Sequence, residues 1–353
     1  MPGFDIVNKC FKYNGEHYSF IALKDFALKL IESKLSYNKD IGDFLLLWQD
    51  NSNTIALKTS GSTGVPKTIV IKKQAMVNSA IATGEYFKLQ PSSKALLCLP
   101  AHYIAGKMML VRALVLGLEI DSIEPKSNLK IDLEKQYHFT AMVPLQLEKN
   151  LDKLKSIKTV IVGGAKVSSA LNAKLQELKA NIFETYGMTE TVSHIAVKQL
   201  NGITKNNSFK TLPNIEIKQD DRDCLIINAP FVSDTIIITN DVVKLQSKTE
   251  FEWIGRADSI INSGGIKVFP EQVENILSGK INAKFFIASE KDTILGERVI
   301  LVVEGENIEI DNSIFNTLKS YSKPKNVYYI NQFTLTESGK IKRNETLKRI
   351  EKA

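Results

Sequence analysis

Cysteine is scarce in this chain. Cys10, Cys98 and Cys224 are the three among 353 residues, and they lie far apart. That spacing excludes a disulfide framework and a cysteine-based metal site, and it leads to the expectation of a reducing, cytoplasmic setting. Cys98 and Cys224 sit within apolar runs and read as buried thiols. Long apolar runs are also missing. The longest, Met108 to Leu118, is interrupted by Arg112 and falls short of the roughly 20 residues that span a bilayer. The start, Met1-Pro2-Gly3-Phe4-Asp5, lacks the basic and apolar regions of a secretory signal. Internal repeats and low-complexity tracts are absent. The net charge of +7 is modest and the lysines are scattered without interleaved aromatics, so no nucleic-acid partner is expected. One local excess stands out: from Lys340 onward there are six basic residues against two acidic ones.

What remains is the composition of an ordinary globular enzyme, 43% hydrophobic and 24% charged, on a chain long enough for two domains. Periodicity predicts strands over 54–58 and 68–71, a helix over 73–87, a buried strand over 95–99, a helix near 107–116 and a strand over 118–123. A helix over 144–154, a strand over 159–162, a helix over 168–178 with Ser168 as N-cap and a strand over 182–185 follow. Alternation of this kind argues for a parallel sheet covered on both faces. From about Ile195 the pattern changes to short strands (216–218, 225–228, 235–239, 251–254), which suggests an antiparallel subdomain. Gly255-Arg256-Ala257-Asp258 marks a joint. Beyond it lies a segment long enough for a small domain, with strands at 259–262, 285–288, 299–303 and 327–330 and helices at 270–278 and 312–320. The expected fold is therefore α/β: a large domain over 1–257 with mostly parallel, helix-flanked sheet plus a short-stranded subdomain, and a small mobile α+β domain over 258–353.

The richest local signal is Thr59-Ser60-Gly61-Ser62-Thr63-Gly64-Val65-Pro66-Lys67, between the apolar runs Thr54–Leu57 and Ile69–Ile71. Glycines let a backbone approach closely, successive N–H groups form an anion nest, and hydroxyls and a lysine add donors and charge. Such a cluster can be a surface turn or a polyphosphate loop. It is not a Walker loop: Pro66 stands where the second glycine belongs, and a strand rather than a helix follows Lys67. A second signal is Glu184-Thr185-Tyr186-Gly187-Met188-Thr189-Glu190-Thr191. Thr189 and Glu190 suit a cap and first turn. Equally, Glu190 suits magnesium, which takes one or two carboxylates plus substrate phosphates, and Tyr186 offers a face for adenine.

These two segments resemble, in order and spacing, the phosphate loop and second core signature of the adenylate-forming superfamily of acyl-CoA synthetases, luciferases and peptide-synthetase adenylation domains. Further resemblances follow down the chain. They are Gly163-Gly164, Thr239-Asn240-Asp241 in place of Thr-Gly-Asp, the long run Trp253–Glu274, and Gly339-Lys340-Ile341-Lys342-Arg343. Asn240 replaces a glycine, and since Asn tolerates left-handed backbone a turn there is expected to survive. The resemblance covers about residues 54–350 and implies ATP, Mg2+ and CoA as reaction partners of a small carboxylic acid. It implies that Thr59, Ser60, Gly61, Ser62, Thr63, Gly64 and Lys67 hold phosphates, with Gly163, Gly164, Tyr186, Gly187, Asp241 and Arg256 around the nucleoside. Glu190 carries magnesium with Thr189 beside it, Lys340 is the catalytic lysine of adenylation, Asp258 the hinge, and Gly264-Gly265 the turn facing CoA.

Only 58 residues precede the loop, fewer than in most of the superfamily, which leads to the expectation of a compact member. The segment Pro100–Leu114 resembles the acyl-pocket segment of o-succinylbenzoate–CoA ligases of menaquinone synthesis. Arg112 is the only charge between Met108 and Leu118. A buried guanidinium needs a partner: an internal carboxylate, escape to the surface, or the second carboxylate of a diacid. His102 reads as a wall of that pocket or as a core histidine, and Ser193 and His194 are candidates for the same pocket. The alternatives are another acid, a carrier-protein thiol as acceptor, and a non-catalytic nucleotide-binding regulator. Oligomeric state is not legible.

Overall fold

The computed structural model describes residues 2–58, 68–306, 308–335 and 341–350. The segment 59–67 and Lys340 lie outside the described residues. A thirteen-stranded sheet forms the frame of the first part. Its parallel half runs, side by side, through the strands Asn181–Gly187, Ile157–Val162, Tyr137–Met142, Lys94–Leu97, Glu119–Ser122 and Lys12–Tyr13. Alternation covers both faces: Ala95 and Leu97 enter one apolar core, while Leu96 enters another. The first core holds the helices Ala22–Ile31, Ser36–Gln49, Lys73–Phe87 and Ile104–Leu116; the second holds Pro144–Lys149 and Ser169–Leu175. Ser168 caps the last of these, its Oγ accepting from Leu171 N at 3.1 Å. Cys98 and Cys224 are buried free thiols.

The helix Ile104–Leu116 is buried along most of its length between the helix Lys73–Phe87 and the parallel sheet, with Lys107 and Arg112 as its charged residues. It ends at Gly117, whose φ of 71° is the left-handed conformation that a helix C-terminus favours. Gly106 sets its entry, since a Cβ there would lie 2.2 Å from the Pro100 carbonyl oxygen.

The antiparallel strands His194–Gln199, Phe209–Thr211, Glu250–Arg256, Ile237–Leu245, Cys224–Asn228 and Glu216–Gln219 continue the same sheet edge to edge. They form no separate sheet, because His194–Gln199 pairs directly with the last parallel strand, Asn181–Gly187. Two helices expected from periodicity are broken. Pro144–Lys149 passes at Asn150 into a 3-10 turn over Leu151–Ser156, and 312–320 consists of 3-10 turns at Asn312–Thr317 and Ser320–Ser322. Asn150 makes that break useful, donating to Ser127 O and Gln146 O at 2.7 Å each.

A hairpin of Thr54–Lys58 and Thr68–Lys72 flanks the segment 59–67. After Arg256, a five-stranded sheet of Ile266–Val268, Ile261–Ser263, Gly296–Glu304, Phe285–Asp292 and Asn326–Ile330 has its own cores, with the helix Pro270–Leu277 packed in one of them. Among the described residues no helix is long and apolar enough to cross a membrane.

Candidate active site

Three strands converge on Asp241, which is nearly buried. Tyr186 Oη, from the end of Asn181–Gly187, donates to its Oδ2 at 2.6 Å, and Trp253 Nε1 donates to Oδ1 at 3.1 Å. Arg256 stands opposite Asp241 in the strand register, with Nη1 3.9 Å from Oδ1. Burial, reinforced by the Asp241 carboxylate, pushes the Tyr186 phenol far above its ordinary range, so it stays a donor. Arg256 also clasps Asp258 through Nε–Oδ1 at 3.1 Å and Nη2–Oδ2 at 2.8 Å. That pairing holds the Asp258 carboxyl below its usual range.

The Thr239-Asn240-Asp241 expectation needs correction. These residues lie inside the strand Ile237–Leu245 rather than in a turn. Cys224 faces Val242 while Ile226 faces Ile238, so the long strand carries extra residues there as a bulge. Asp241 N is held by Thr239 Oγ1 at 3.0 Å. Asn240 is not among the residues with positive φ, so no left-handed residue is required.

A Cβ on Gly163 would lie 2.5 Å from Thr185 Oγ1, and Gly164 has φ 83°. The loop that follows them is tied down by Glu184, a residue not singled out from sequence. Its Oε1 accepts from Val167 N at 2.7 Å, and its Oε2 pairs with Lys198 at 2.6 Å. The legible signal was a carboxylate in a buried strand position.

Glu190 is exposed on the 3-10 turn Thr189–Thr191, which packs against the strand Thr68–Lys72 leaving the segment 59–67. No cluster of three or more His, Cys, Asp or Glu side chains able to hold a metal occurs among the described residues. A single exposed carboxylate beside the root of that segment fits a metal carried mostly by phosphate oxygens. Gly264 (φ 59°) and Gly265 (φ 80°) form the tip between Ile261–Ser263 and Ile266–Val268. A Cβ on Gly265 would meet nothing, so the tip is a thin, side-chain-free edge.

Arg112 is 2% exposed, which excludes escape to the surface. An internal salt bridge is excluded among the described residues as well. Its Nη2 donates to Ser193 Oγ at 3.3 Å and to His194 Nδ1 at 3.4 Å, its Nη1 reaches only the Met109 thioether at 3.7 Å, and Nε has no partner. Burial alone lowers its pKa to about 9. His194 is buried too. Burial first, and Arg112 second, hold its pKa well below the ordinary histidine value, so the ring is neutral with Nδ1 accepting. Its Nε2 is buried without a partner among the described residues. Ser79, on the helix Lys73–Phe87, adds a hydroxyl 2.8 Å from Ser193 Oγ; nothing in the sequence pointed to it.

Arg112, Ser193 and His194 thus come together. His102 does not join them by any hydrogen bond. Its side chain is 51% exposed and its Nδ1 lies 2.7 Å from Asp40 Oδ2, so it is not a core histidine. Lys107 anchors the same loop, donating to Ala101 O at 2.6 Å and His102 O at 2.7 Å. Lys340 and the run Thr59–Lys67 fall outside the described residues.

The sequence profile of the AMP-binding enzyme family matches residues 48–226. The 2-succinylbenzoate–CoA ligase of Lactococcus lactis subsp. lactis is 24% identical over 321 residues, covering 84% of this chain and 71% of that protein. The Escherichia coli (strain K12) protein of the same name is 26% identical over 329 residues, covering 88% and 70%. Among solved structures, an acyl-CoA synthetase (AMP-forming)/AMP-acid ligase II-like protein from Dyadobacter fermentans is 34% identical. It covers 93% of this chain and 98% of its own, with a TM-score of 0.61. The O-succinylbenzoate coenzyme A synthetase of Bacillus subtilis, in complex with ATP and magnesium ion, has a TM-score of 0.70 at 19% identity, covering 83% of this chain and 69% of its own. With a family profile spanning half of its length and a relative that aligns with it almost end to end, the chain belongs to the AMP-binding enzyme family.

Proposed function

We propose that this chain is an ATP-dependent acid–CoA ligase that works through an acyl-adenylate, with 2-succinylbenzoate as its acid and menaquinone biosynthesis as its setting. The observation that carries the choice of acid is Arg112: a buried guanidinium with donors to spare, and no carboxylate beside it among the described residues. A diacid offers one carboxylate to the chemistry and the other to such a group, and Arg pairs with carboxylates bidentately. The names of the curated relatives point the same way.

In the first half-reaction one carboxylate oxygen attacks the α-phosphorus of ATP, and the bond to pyrophosphate breaks. Catalysis of this kind is mostly positioning and charge neutralisation. Thr59, Ser60, Gly61, Ser62, Thr63, Gly64 and Lys67 cradle the phosphates. Tyr186 and Gly187 border the base with Gly163 and Gly164, while Asp241, flanked by Arg256, accepts from the ribose hydroxyls. Glu190, with Thr189 beside it, would hold Mg2+, which would neutralise phosphate charge. Lys340 bridges the attacking carboxylate and the α-phosphate. In the second half-reaction the CoA thiol attacks the acyl carbon and AMP leaves. The domain over 258–353 turns about Asp258 and brings Gly264-Gly265 to the thiol. The three free cysteines suit work in a reducing cytoplasm.

A pyrophosphate-release screen over aromatic, aliphatic and dicarboxylic acids with CoA present, with product masses, tests the reading. Lys340→Ala is expected to lose adenylation while still converting supplied acyl-adenylate to thioester. Full adenylation by that variant removes Lys340 from its role, and a preference for monocarboxylic acids removes the diacid.

A further inference from the structure

Between Gly187 and His194 the backbone is held in a strained turn. Val192 has φ 67° and ψ −56°, a costly conformation for a β-branched residue. Ser193 N donates back to Thr191 O at 2.7 Å, which closes a three-residue γ-turn of the rare positive-φ hand. Strain of this kind persists only where the surroundings over-determine it. Here they do. Thr191 Oγ1 accepts from Met188 N at 2.9 Å and shares its own hydrogen between Met188 O at 2.9 Å and Ser193 O at 2.8 Å. A Cβ on Gly187 would lie 2.4 Å from Ser193 O and 2.5 Å from His194 Cα, so the returning chain is pressed onto a bare backbone. Val192 itself is 1% exposed, locked in the core.

The result is unusual for two consecutive residues beside a strand. Neighbouring side chains on a regular strand point to opposite faces, yet Ser193 and His194 both reach the same nitrogen, Arg112 Nη2. The γ-turn before them and the register shift between His194 and Ala196 make this possible.

We propose that Thr191 is a positioning residue: its hydroxyl fixes the turn at Val192, which aims Ser193 and His194 at Arg112 and so gives the acid site its preference for a second carboxylate. The proposal rests on the diacid reading above. The acid's second carboxylate meets a guanidinium held at Nη2 by two acceptors, with Nε left without a partner among the described residues. Ser79 supports the same arrangement from another helix, through Ser193 Oγ.

The test compares kcat/KM for 2-succinylbenzoate with that for 4-oxo-4-phenylbutanoate, the same acid without its ring carboxylate, in full-length enzyme. A scaffold role alone would slow both acids together; a positioning role moves their ratio. Thr191→Val is expected to lower the diacid-to-monoacid ratio by about tenfold, the scale of a lost buried hydrogen-bond arrangement, and Thr191→Ser, which keeps the hydroxyl, to restore most of it. An unchanged ratio in folded Thr191→Val, or an equal fall in Thr191→Ser, overturns the proposal. If Thr191→Val does not fold, Ser79→Ala decides: a lowered ratio supports the proposal and an unchanged one overturns it. A wild-type enzyme with no preference for the diacid refutes the underlying reading; a preference that survives Thr191→Val refutes the positioning role alone.

Discussion

Arg112→Met separates stability from function at the candidate acid site. Methionine keeps the length and flexibility of the side chain and discards the charge. Burial lowers the Arg112 pKa to about 9, with no compensating carboxylate among the described residues. At ~1.36 kcal/mol per pH unit, that corresponds to roughly 5 kcal/mol of unfavourable free energy carried by the ionised form in the free protein. Part of it is offset by the bonds to Ser193 and His194, which methionine loses. The expected net effect is a free enzyme stabilised by ~1–4 kcal/mol, as when buried charges give way to well-packed apolar groups. Function moves the other way. Losing one partner of a desolvated charge pair costs about 3–5 kcal/mol, or roughly two to four orders of magnitude in kcat/KM for 2-succinylbenzoate. 4-Oxo-4-phenylbutanoate should be used as well as before. Denaturant titration of the free enzyme and pyrophosphate release with the two acids provide both numbers.

The pH dependence has a definite sign. The folded-state pKa is depressed, so between about 9 and the ordinary arginine range the unfolded chain holds the proton that the folded chain has lost. The cost is fully present at neutral pH and is relieved as pH rises past about 9. Arg112→Met should lack that relief. A variant less stable than wild type, or one that loses both acids equally, refutes the reasoning.

His194 gives the acid-side counterpart. Its folded pKa lies well below the ordinary value, so stability is complete above about pH 6.5 and is lost as pH falls, by up to ~1.36 kcal/mol per unit. His194→Gln should flatten the stability difference between pH 7 and pH 5 in denaturant titrations, and an unchanged slope counts against a buried neutral ring. Asp241→Asn removes the carboxylate charge and one of the two oxygens that accept from Tyr186 and Trp253. ATP KM should rise about tenfold or more with acid KM little changed; an unaltered ATP KM places the ribose elsewhere.

Much of the frame was legible because its signals are local. The strand Thr54–Lys58 and the helix Lys73–Phe87 follow from apolar patterning, and the Ser168 cap from its position before an apolar-periodic run. The strand Tyr137–Met142 was missed although it lies in the middle of the parallel sheet. Its Thr140 is buried only because Leu96 O, 44 residues away, accepts its hydroxyl at 2.8 Å. The helices Ala22–Ile31 and Ser36–Gln49 were missed too. Neither has a side-chain N-cap, the residues in those positions being Ile21 and Leu35. At the site, sequence could mark Arg112 as an isolated charge. It could not reveal that the partners would be a serine and a histidine more than 80 residues away, because that depends on a bulged and strained return of the chain.

The end of the strand Asn181–Gly187 explains why these features occur together. Tyr186 and Gly187 are consecutive, so they face opposite sides. Tyr186 reaches Asp241, while the bare face of Gly187 receives the backbone of Ser193 and His194. One strand end therefore borders both the candidate ribose site and the candidate acid site. Two substrates that must react with each other gain most when their sites share a rigid element, because orientation is then set before they arrive. A side chain at 187 would push Ser193 and His194 away from the strand that carries Tyr186, and a relaxed turn at 192 would let Ser193 and His194 part from Arg112. The buried unpaired charge, the glycine and the strained valine are each unfavourable alone. They are mutually consistent as parts of the proposed apposition, in which local stability is given up to set the candidate acid site beside the candidate ribose site.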